Sequence, residues 1–384
     1  MKGRVLRTRL CDMLGIEYPI LSAGMGPSLI GEKTGAPVEL VAAVSEAGGL
    51  GVLGAAGFTV EELREQIREV KKLTGRPFGV DLLLPRQIVD GGDVQVEGEG
   101  ELLLSEVIKS LPAEHLQWMM KIKEEMGLPD VEATIKMGST VNRPHASVRV
   151  CIEEKVPLFC AGLGNPGFMV ADAHRAGMKV LGIAGNVKNA LRIARSGADL
   201  VVAQGHEGGG HTGRVGSLAL WPQAVDATAP TPVLAAGGIG DGRGVVAALS
   251  LGCIGVWVGT RFLATVEGGA TEVQKQAILK ATDEDTRRSH LYTGKTSRAT
   301  FNKFHLIWEE SGLQPLPFPI QVIFASAMAE MFDRAEKKEF IGPFAGQVSG
   351  LIGEIKPAGQ VVQEMVDEAV DILGRRLPEE VAIS

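Results

Sequence analysis

The sequence predicts an α/β chain folded as a (β/α)8 TIM barrel, and three observations carry that expectation. Short β-branched runs alternate with longer amphipathic segments through most of the chain. Eight such runs can be counted. The later ones are nearly all apolar, as strands are when both faces of a parallel sheet are covered. A doubly wound open sheet is the rival arrangement.

The strands are expected at 19–23 (PILSA), 49–53 (GLGVL), 78–83 (FGVDLL), 156–161 (VPLFCA), 179–184 (KVLGIA), 199–204 (DLVVAQ), 232–237 (PVLAAG) and 254–259 (IGVWVG). Helical patterns fall between them: PVELVAAVSEAG, TVEELREQIREVKKLTG, GFMVADAHRAG, NVKNALRIARSG and DGRGVVAALSLG. Several end on glycine, as helix C-termini do. Residues 84–150 are too long for one crossover and carry an acidic, Gly-rich run, GGDVQVEGEGE, followed by helix-like sequence. Residues 262–345 follow the last strand, contain TGKTSRATFNKF and a Pro-rich LQPLPFP turn, and are long enough for a small helical lid domain over the barrel mouth. The expected organisation is therefore a barrel over 1–261 with an insertion at about 84–150, a lid at 262–345, and a C-terminal amphipathic helix within 346–384 packing back on the barrel.

Composition bounds the function. The 384 residues are 45% hydrophobic and 22% charged, enough for one large core with a smaller appendage. The net charge is -7, with no basic block, and aromatics are only 5%, so neither nucleic acid nor an anionic membrane is an expected partner. The N-terminus lacks a continuous apolar signal region, and no stretch approaches the ~20 apolar residues that span a bilayer. The four cysteines, Cys11, Cys151, Cys160 and Cys253, lack metal spacing and are expected reduced and buried in a cytoplasmic protein. The sequence leaves a homo-oligomer open.

Three stretches invite a chemical reading. GLGNPG (162–167) matches G-x-G-x-x-G formally, but it follows the fourth strand, and the next strand ends in IAGN without the acid a dinucleotide ribose wants. A tight turn with Pro166 opening a helix accounts for it. After the seventh strand comes AAGGIGDGRG and after the eighth VGTRF, the two positions where barrels commonly hold a phosphate. Gly237, Gly238, Gly259 and Thr260 would offer exposed main-chain N–H groups there.

The third stretch is QGHEGGGHTG (204–213). A zinc helix needs its second histidine four residues after the first, but His211 is five after His206. Three glycines lie between, each weakening a helix by about 1 kcal/mol relative to alanine. The stretch is thus a loop at strand-end level, and no metal is expected. His211 is the candidate proton-transfer group and His206 the second choice. Gln204 should point its amide at a ring edge. His115, His145, His174, His290 and His305 read as structural.

PILSAGM, VVAQGHEGGGHTG, TPVLAAGGIGDGRG and VGTRF together resemble the nitronate monooxygenases, once called 2-nitropropane dioxygenases, and the FMN-dependent enoyl-[acyl-carrier-protein] reductases of the same architecture. The likeness runs from about Thr8 to Ala264 and resumes at TGKTSR and the closing PAGQVVQE. It implies an FMN-binding barrel. Ala23, Gly24 and Met25 would lie by the isoalloxazine through their backbone, Gln204 would hydrogen-bond it, and Gly209 and Gly210 would pass close. Asp81 and Ala184 would belong to the same binding set. Gly237, Gly238, Gly259 and Thr260 would hold the phosphate, and His211 matches the catalytic histidine. The implied reaction deprotonates a nitroalkane or holds a nitronate beside the flavin, and O2 then gives a carbonyl compound and nitrite.

Departures are visible. The family often has Asn at Asp81, and an ionised aspartate can accept but not donate. Gly208 replaces its usual alanine. The rival enzyme is an NAD(P)H-dependent FMN reductase of an enoyl thioester or a quinone, for which Lys295, Arg298 and Lys303 could form a basic lip. A barrel that binds flavin without chemistry is the alternative from another class.

Overall fold

A computed structural model of the chain describes residues 6–27, 29, 32–85, 89–90, 101–109, 111–136 and 143–381. Eight parallel strands form the central sheet: β1 Ile20–Ser22, β2 Val52–Gly54, β3 Gly79–Leu83, β4 Leu158–Gly162, β5 Lys179–Ala184, β6 Leu200–Gln204, β7 Val233–Ala236 and β8 Val256–Val258. Each falls on one of the eight expected runs. From β2 to β8 they pair in chain order, and β8 then pairs with β1, Ile20 facing Val256. A bridge between Leu21 and Leu50 brings the two ends of the sheet together and closes the ring. The open-sheet alternative is thereby excluded.

Closure gives two apolar layers. Inside, Leu21, Val52, Leu158, Leu181, Leu200, Val202, Leu234 and Trp257 fill the barrel. The floor is stopped by the short helix Arg9–Leu14, whose Leu10 and Leu14 join the same cluster. Gly255 is required there, since a Cβ on it would lie 2.4 Å from Leu10 Cδ2. Outside, the alternate residues of the strands pack under the ring of helices, including Val41, Leu63, Ile193, Val245 and Val362. Local sequence starts these helices where expected. Thr59 and Glu62 make a reciprocal capping box on Val60–Leu73, and Asn186 caps Val187–Arg195. The pattern around 167–177 divides, with a 3-10 turn Pro166–Phe168 preceding helix Val170–Arg175.

The stretch expected to form a helical lid contains helices Glu272–Lys280, Lys303–Ser311 and Ile320–Arg334, but also an antiparallel hairpin, Thr286–Ser289 with Ser297–Thr300. The boundary at 261/262 falls inside helix Thr260–Leu263, which belongs to the barrel mouth. A second apolar core joins the insertion to this lid: Leu104, Met119 and Ile122 pack with Phe304, Trp308, Phe324 and Phe332. The two irregular stretches are therefore one packing unit. Of the acidic run GGDVQVEGEGE, residues 91–100 lie outside the described residues, and Glu101 opens a short strand paired with Thr134–Lys136. The C-terminal helix Ala358–Asp371 packs on the barrel helices, where Glu368 accepts from Gly242 N at 2.8 Å.

Candidate active site at the barrel mouth

The loop after β6 is held at both ends. Gly205 N donates to Ala236 O at 2.9 Å and His206 N to Val215 O at 2.8 Å. The Glu207 carboxylate accepts from Ser217 N and Oγ, both at 2.9 Å, pinning the loop to helix Ser217–Thr228. Glu207 is thus a structural tie. The chain then extends through Gly210 and His211, which pair with Arg298 and Ser297 of the lid hairpin. This third strand of the hairpin sheet is what fixes the height of His211 above the barrel.

The two histidines of the stretch part company here. His206 carbonyl accepts from Arg298 Nε at 2.9 Å, and its Nδ1 lies 3.4 Å from the same guanidinium. It does not line the cavity, whereas His211 does. His211 Nε2 is 3.0 Å from Thr293 Oγ1, and Thr293 Oγ1 in turn donates to Lys295 O at 3.2 Å. Burial, then the nearby Lys295 ammonium, push the imidazole down to about 4. It is therefore a neutral ring at physiological pH, with one nitrogen lone pair available. Gln204 Nε2 donates to His211 O at 2.9 Å, which steadies the loop.

The cavity over the barrel mouth measures about 2030 Å³. It gathers Ala23, Gly24, Met25, Asp81, Gln204, Gly209, Gly210, His211, Gly237, Gly238, Gly259 and Thr260 into one lining. Ala184 stands apart: its side chain is buried in the outer, helix-facing layer, and its neighbours Ile183 and Gly185 reach the cavity instead. The outward turn follows from strand alternation, which sends Leu181 and Ile183 inward and Ala184 outward. Gly162, Leu163 and Gly164 line the same wall as a tight turn, with Asn165 accepting from Gly167 N.

At one end of the cavity the main chain is bare. Gly237 and Gly238 have φ of +94° and +74°, open to glycine at little cost. Among the described residues, the N–H groups of Gly237, Gly238, Gly259 and Thr260 find no acceptor. The following helix Gly242–Ser250 is not available to an anion. Asp241 accepts from Arg243 N and Gly244 N, and Glu368 holds Gly242 N, so carboxylates already fill that terminus. An anion would rest on the loop amides alone. Thr260 Oγ1 accepts from Gly346 N at 2.9 Å and keeps its own proton to donate.

Asp81 projects from β3 into the wall. Its Oδ1 is buried without a hydrogen-bond partner among the described residues, and burial raises its carboxyl well above the usual carboxylate range. Burial thus favours the protonated form, in which the carboxyl can donate as an asparagine would. Gly24 makes room for it: a Cβ there would lie 2.2 Å from Asp81 Cβ. Gly209 is small for another reason, since its Cβ would meet the Ala345 backbone at 2.8 Å. All four cysteines are buried and free, and burial pushes Cys151 and Cys253 up to about 12, leaving inert thiols. Among the described residues no cluster of three or more His, Cys, Asp or Glu could hold a metal, and no helix is long and apolar enough to cross a membrane.

The nitronate monooxygenase family model matches residues 7–100 and 103–368. The chain belongs to the nitronate monooxygenase family. As a member it is an FMN-dependent oxidoreductase. It is 34% identical to a putative monooxygenase, Rv1533, of Mycobacterium tuberculosis, over 96% of this chain and 98% of that one. Among solved structures it is similar to FabK from Thermotoga maritima, with a TM-score of 0.74, 31% identity, and coverage of 98% and 100%. It is also similar to a nitroalkane oxidase from Streptomyces ansochromogenes, with a TM-score of 0.76, 27% identity, and coverage of 95% and 99%.

Within this family frame, two site residues lay outside the sequence reading. Thr293 and Phe344 both line the cavity beside His211, the Phe344 ring centroid 6.4 Å from the imidazole. The TGKTSR segment stood out in the sequence, but nothing in it said that it would pair with residues 210–211. Of the three cations considered as a lip, only Lys295 lines the cavity. Arg298 is buried on Thr286 and His206, and Lys303 pairs with Glu339 at 3.5 Å.

Proposed function

We propose that the protein binds FMN across the barrel mouth and oxidises nitronates with O2 to a carbonyl compound and nitrite, without a nicotinamide cofactor. The residues present suit that group. Its phosphate would rest on the N–H groups of Gly237, Gly238, Gly259 and Thr260. Its ring would lie along the Ala23–Met25 backbone, with Gln204 and Asp81 from the same cavity lining to meet its edges. Bound there, FMN would supply the electron acceptor and the partner for O2.

One observation carries the reading: a single neutral histidine faces a cavity whose other end offers four unsatisfied main-chain donors. His211 would accept a proton at its Nδ1 lone pair, while Thr293 takes the Nε2–H and fixes the ring plane. Starting from a neutral nitroalkane, it would have to become an imidazolium where burial and Lys295 both oppose a positive charge. A nitronate arrives as an anion and spares that step, which favours the nitronate over the nitroalkane.

The size of the cavity favours a second reading. Small-molecule pockets usually span roughly 300–1,000 Å³, so about 2030 Å³ leaves space for a long acyl thioester or for NAD(P)H beside the flavin. The missing basic lip speaks against an acyl carrier. Anaerobic absorbance spectra of the FMN-loaded protein separate the two. Bleaching by propane-2-nitronate, with no change on adding NADH or NADPH, is expected. Bleaching by either nicotinamide, followed by turnover of an enoyl thioester, would replace the oxygenase reading with the reductase one.

A further inference from the structure

We propose that Lys295 is the substrate-binding residue that receives the anionic end of a planar oxyanion, and that it sets a preference for the nitronate over its neutral conjugate acid. The substrate named here rests on the function proposed above; the anion site itself rests on geometry.

Lys295 is tied to His211 from both sides. Two residues before it, Thr293 Oγ1 lies 3.0 Å from His211 Nε2, and two residues after it, Ser297 pairs with His211 across the sheet. Its backbone is closed on Thr293 as well, Lys295 N donating to Thr293 Oγ1 at 3.3 Å. The side chain lines the cavity, and its ammonium stands 5.0 Å from the centroid of the Phe318 ring. Nearby lid cations have carboxylate or carbonyl partners: Arg287 on Glu309 at 2.8 Å, Lys303 on Glu339 at 3.5 Å, Arg334 on Glu330 at 2.6 Å, Arg298 on His206 O at 2.9 Å and Arg288 on Gly213 O at 3.0 Å. Lys295 has none within ion-pair distance among the described residues, although Glu330 and Asp333 of the lid helix line the same cavity. Burial lowers its pKa, with no neighbouring carboxylate to raise it.

A half-buried ammonium is costly to leave unpaired, because it is strongly hydrated in water and loses part of that shell here. An oxyanion seated on Lys295 restores the interactions that its ammonium loses on burial. A neutral nitro group gains much less from the same cation. The blander account is that the lysine stem packs on Phe318 and its head reaches for water. Removing the charge while keeping the stem distinguishes the two.

Lys295→Met, Lys295→Gln and Lys295→Arg would be compared with the parent as FMN-loaded proteins. Two measurements are needed: KM for propane-2-nitronate and for 2-nitropropane, and the Kd of nitrate, an unreactive planar oxyanion, from the flavin difference spectrum. Loss of one charge-assisted contact predicts about a tenfold rise in the nitronate KM and the nitrate Kd for the Met and Gln variants. The Arg variant should stay within about threefold, and the nitroalkane KM should move less than about twofold. The acid limb of the pH–rate profile should shift to higher pH in the Met variant, since His211 loses a repelling neighbour. Nitrate binding unchanged in both neutral variants, or nitronate and nitroalkane weakened alike, would overturn the proposal. If no nitronate is turned over by the parent, the proposed function fails, while the nitrate titration still decides the anion site.

Discussion

The two walls of the cavity are made of different material. The barrel wall presents main chain: Gly24, Gly237, Gly238 and Gly259 with their amides, and one buried acid, Asp81. The lid wall presents side chains: Thr293, Lys295, Phe318 and Phe344 around His211. Backbone set by barrel closure is rigid and leaves little room for side chains at Gly24 and Gly237, which suits a fixed cofactor. Side chains on an appended unit can be exchanged without disturbing the barrel, which suits a substrate. The fold determines where a flavin would lie, and the lid determines what would meet it.

That contrast can be broken most sharply at the residue where the walls join. His211→Asn is expected to keep FMN and lose roughly 10²–10⁴-fold in turnover, read by steady-state O2 consumption; full activity would remove His211 from the chemistry. Next, Gly237→Val places a β-branched residue at φ +94° with its Cβ 2.9 Å from Gly205 O. FMN affinity should fall by about 10- to 100-fold, corresponding to the 1–3 kcal/mol of an overpacked or strained site, in a fluorescence titration of the apoprotein. Thr293→Val removes the partner of the imidazole from the lid side. A fall of about tenfold in kcat with FMN affinity unchanged would sharpen the division between walls, and a parallel loss of FMN would blur it.

The smallest effects concern titration. Asp81→Asn should hold FMN within about threefold of the parent, since an amide can donate like the protonated carboxyl that burial favours. Asp81 keeps a proton in the native state that the unfolded chain loses above the ordinary value of 3.8, so it makes stability fall as pH rises beyond that point. The Asn variant should lose this slope, seen as a smaller drop in Tm as pH rises from that ordinary value. The histidines act with the opposite sign. His211 and His305 are both pushed down by burial to about 4 from 6.5, so between those values the unfolded chain binds more protons. Tm should therefore fall as pH is lowered from 6.5 towards 4; a flat Tm over that range would contradict the buried neutral rings.

The same contrast explains what the sequence revealed. Barrel strands such as Leu200–Gln204 and Val233–Ala236 are buried on both faces, so they appear as apolar runs that composition alone exposes. The glycine pairs and His211 followed, because their position is counted from those strand ends. The lid hairpin was hidden because its strands, TRRS and SRAT, carry no apolar alternation. Its register is set by tertiary pairing with Gly210 and His211. The shared core of the insertion and the lid depends on contacts between residues about 190 apart, such as Trp118 with Trp308, whose ring centroids are 6.2 Å apart and which no local pattern encodes. Asp81 was legible as a residue but not as a carboxyl raised by burial, because burial is a property of the closed ring.

The strand of chain that leaves the lid at Phe344 touches the site twice before it reaches the C-terminal helix. Gly346 N is bonded to Thr260 Oγ1, and Gln347 N to Glu207 O. One short tether thus grips the rim at Thr260 and the histidine loop together. A lid that swung away would have to snap that tether or pull both rims apart with it, so loading a mononucleotide and admitting a bulky reactant would share a single gate.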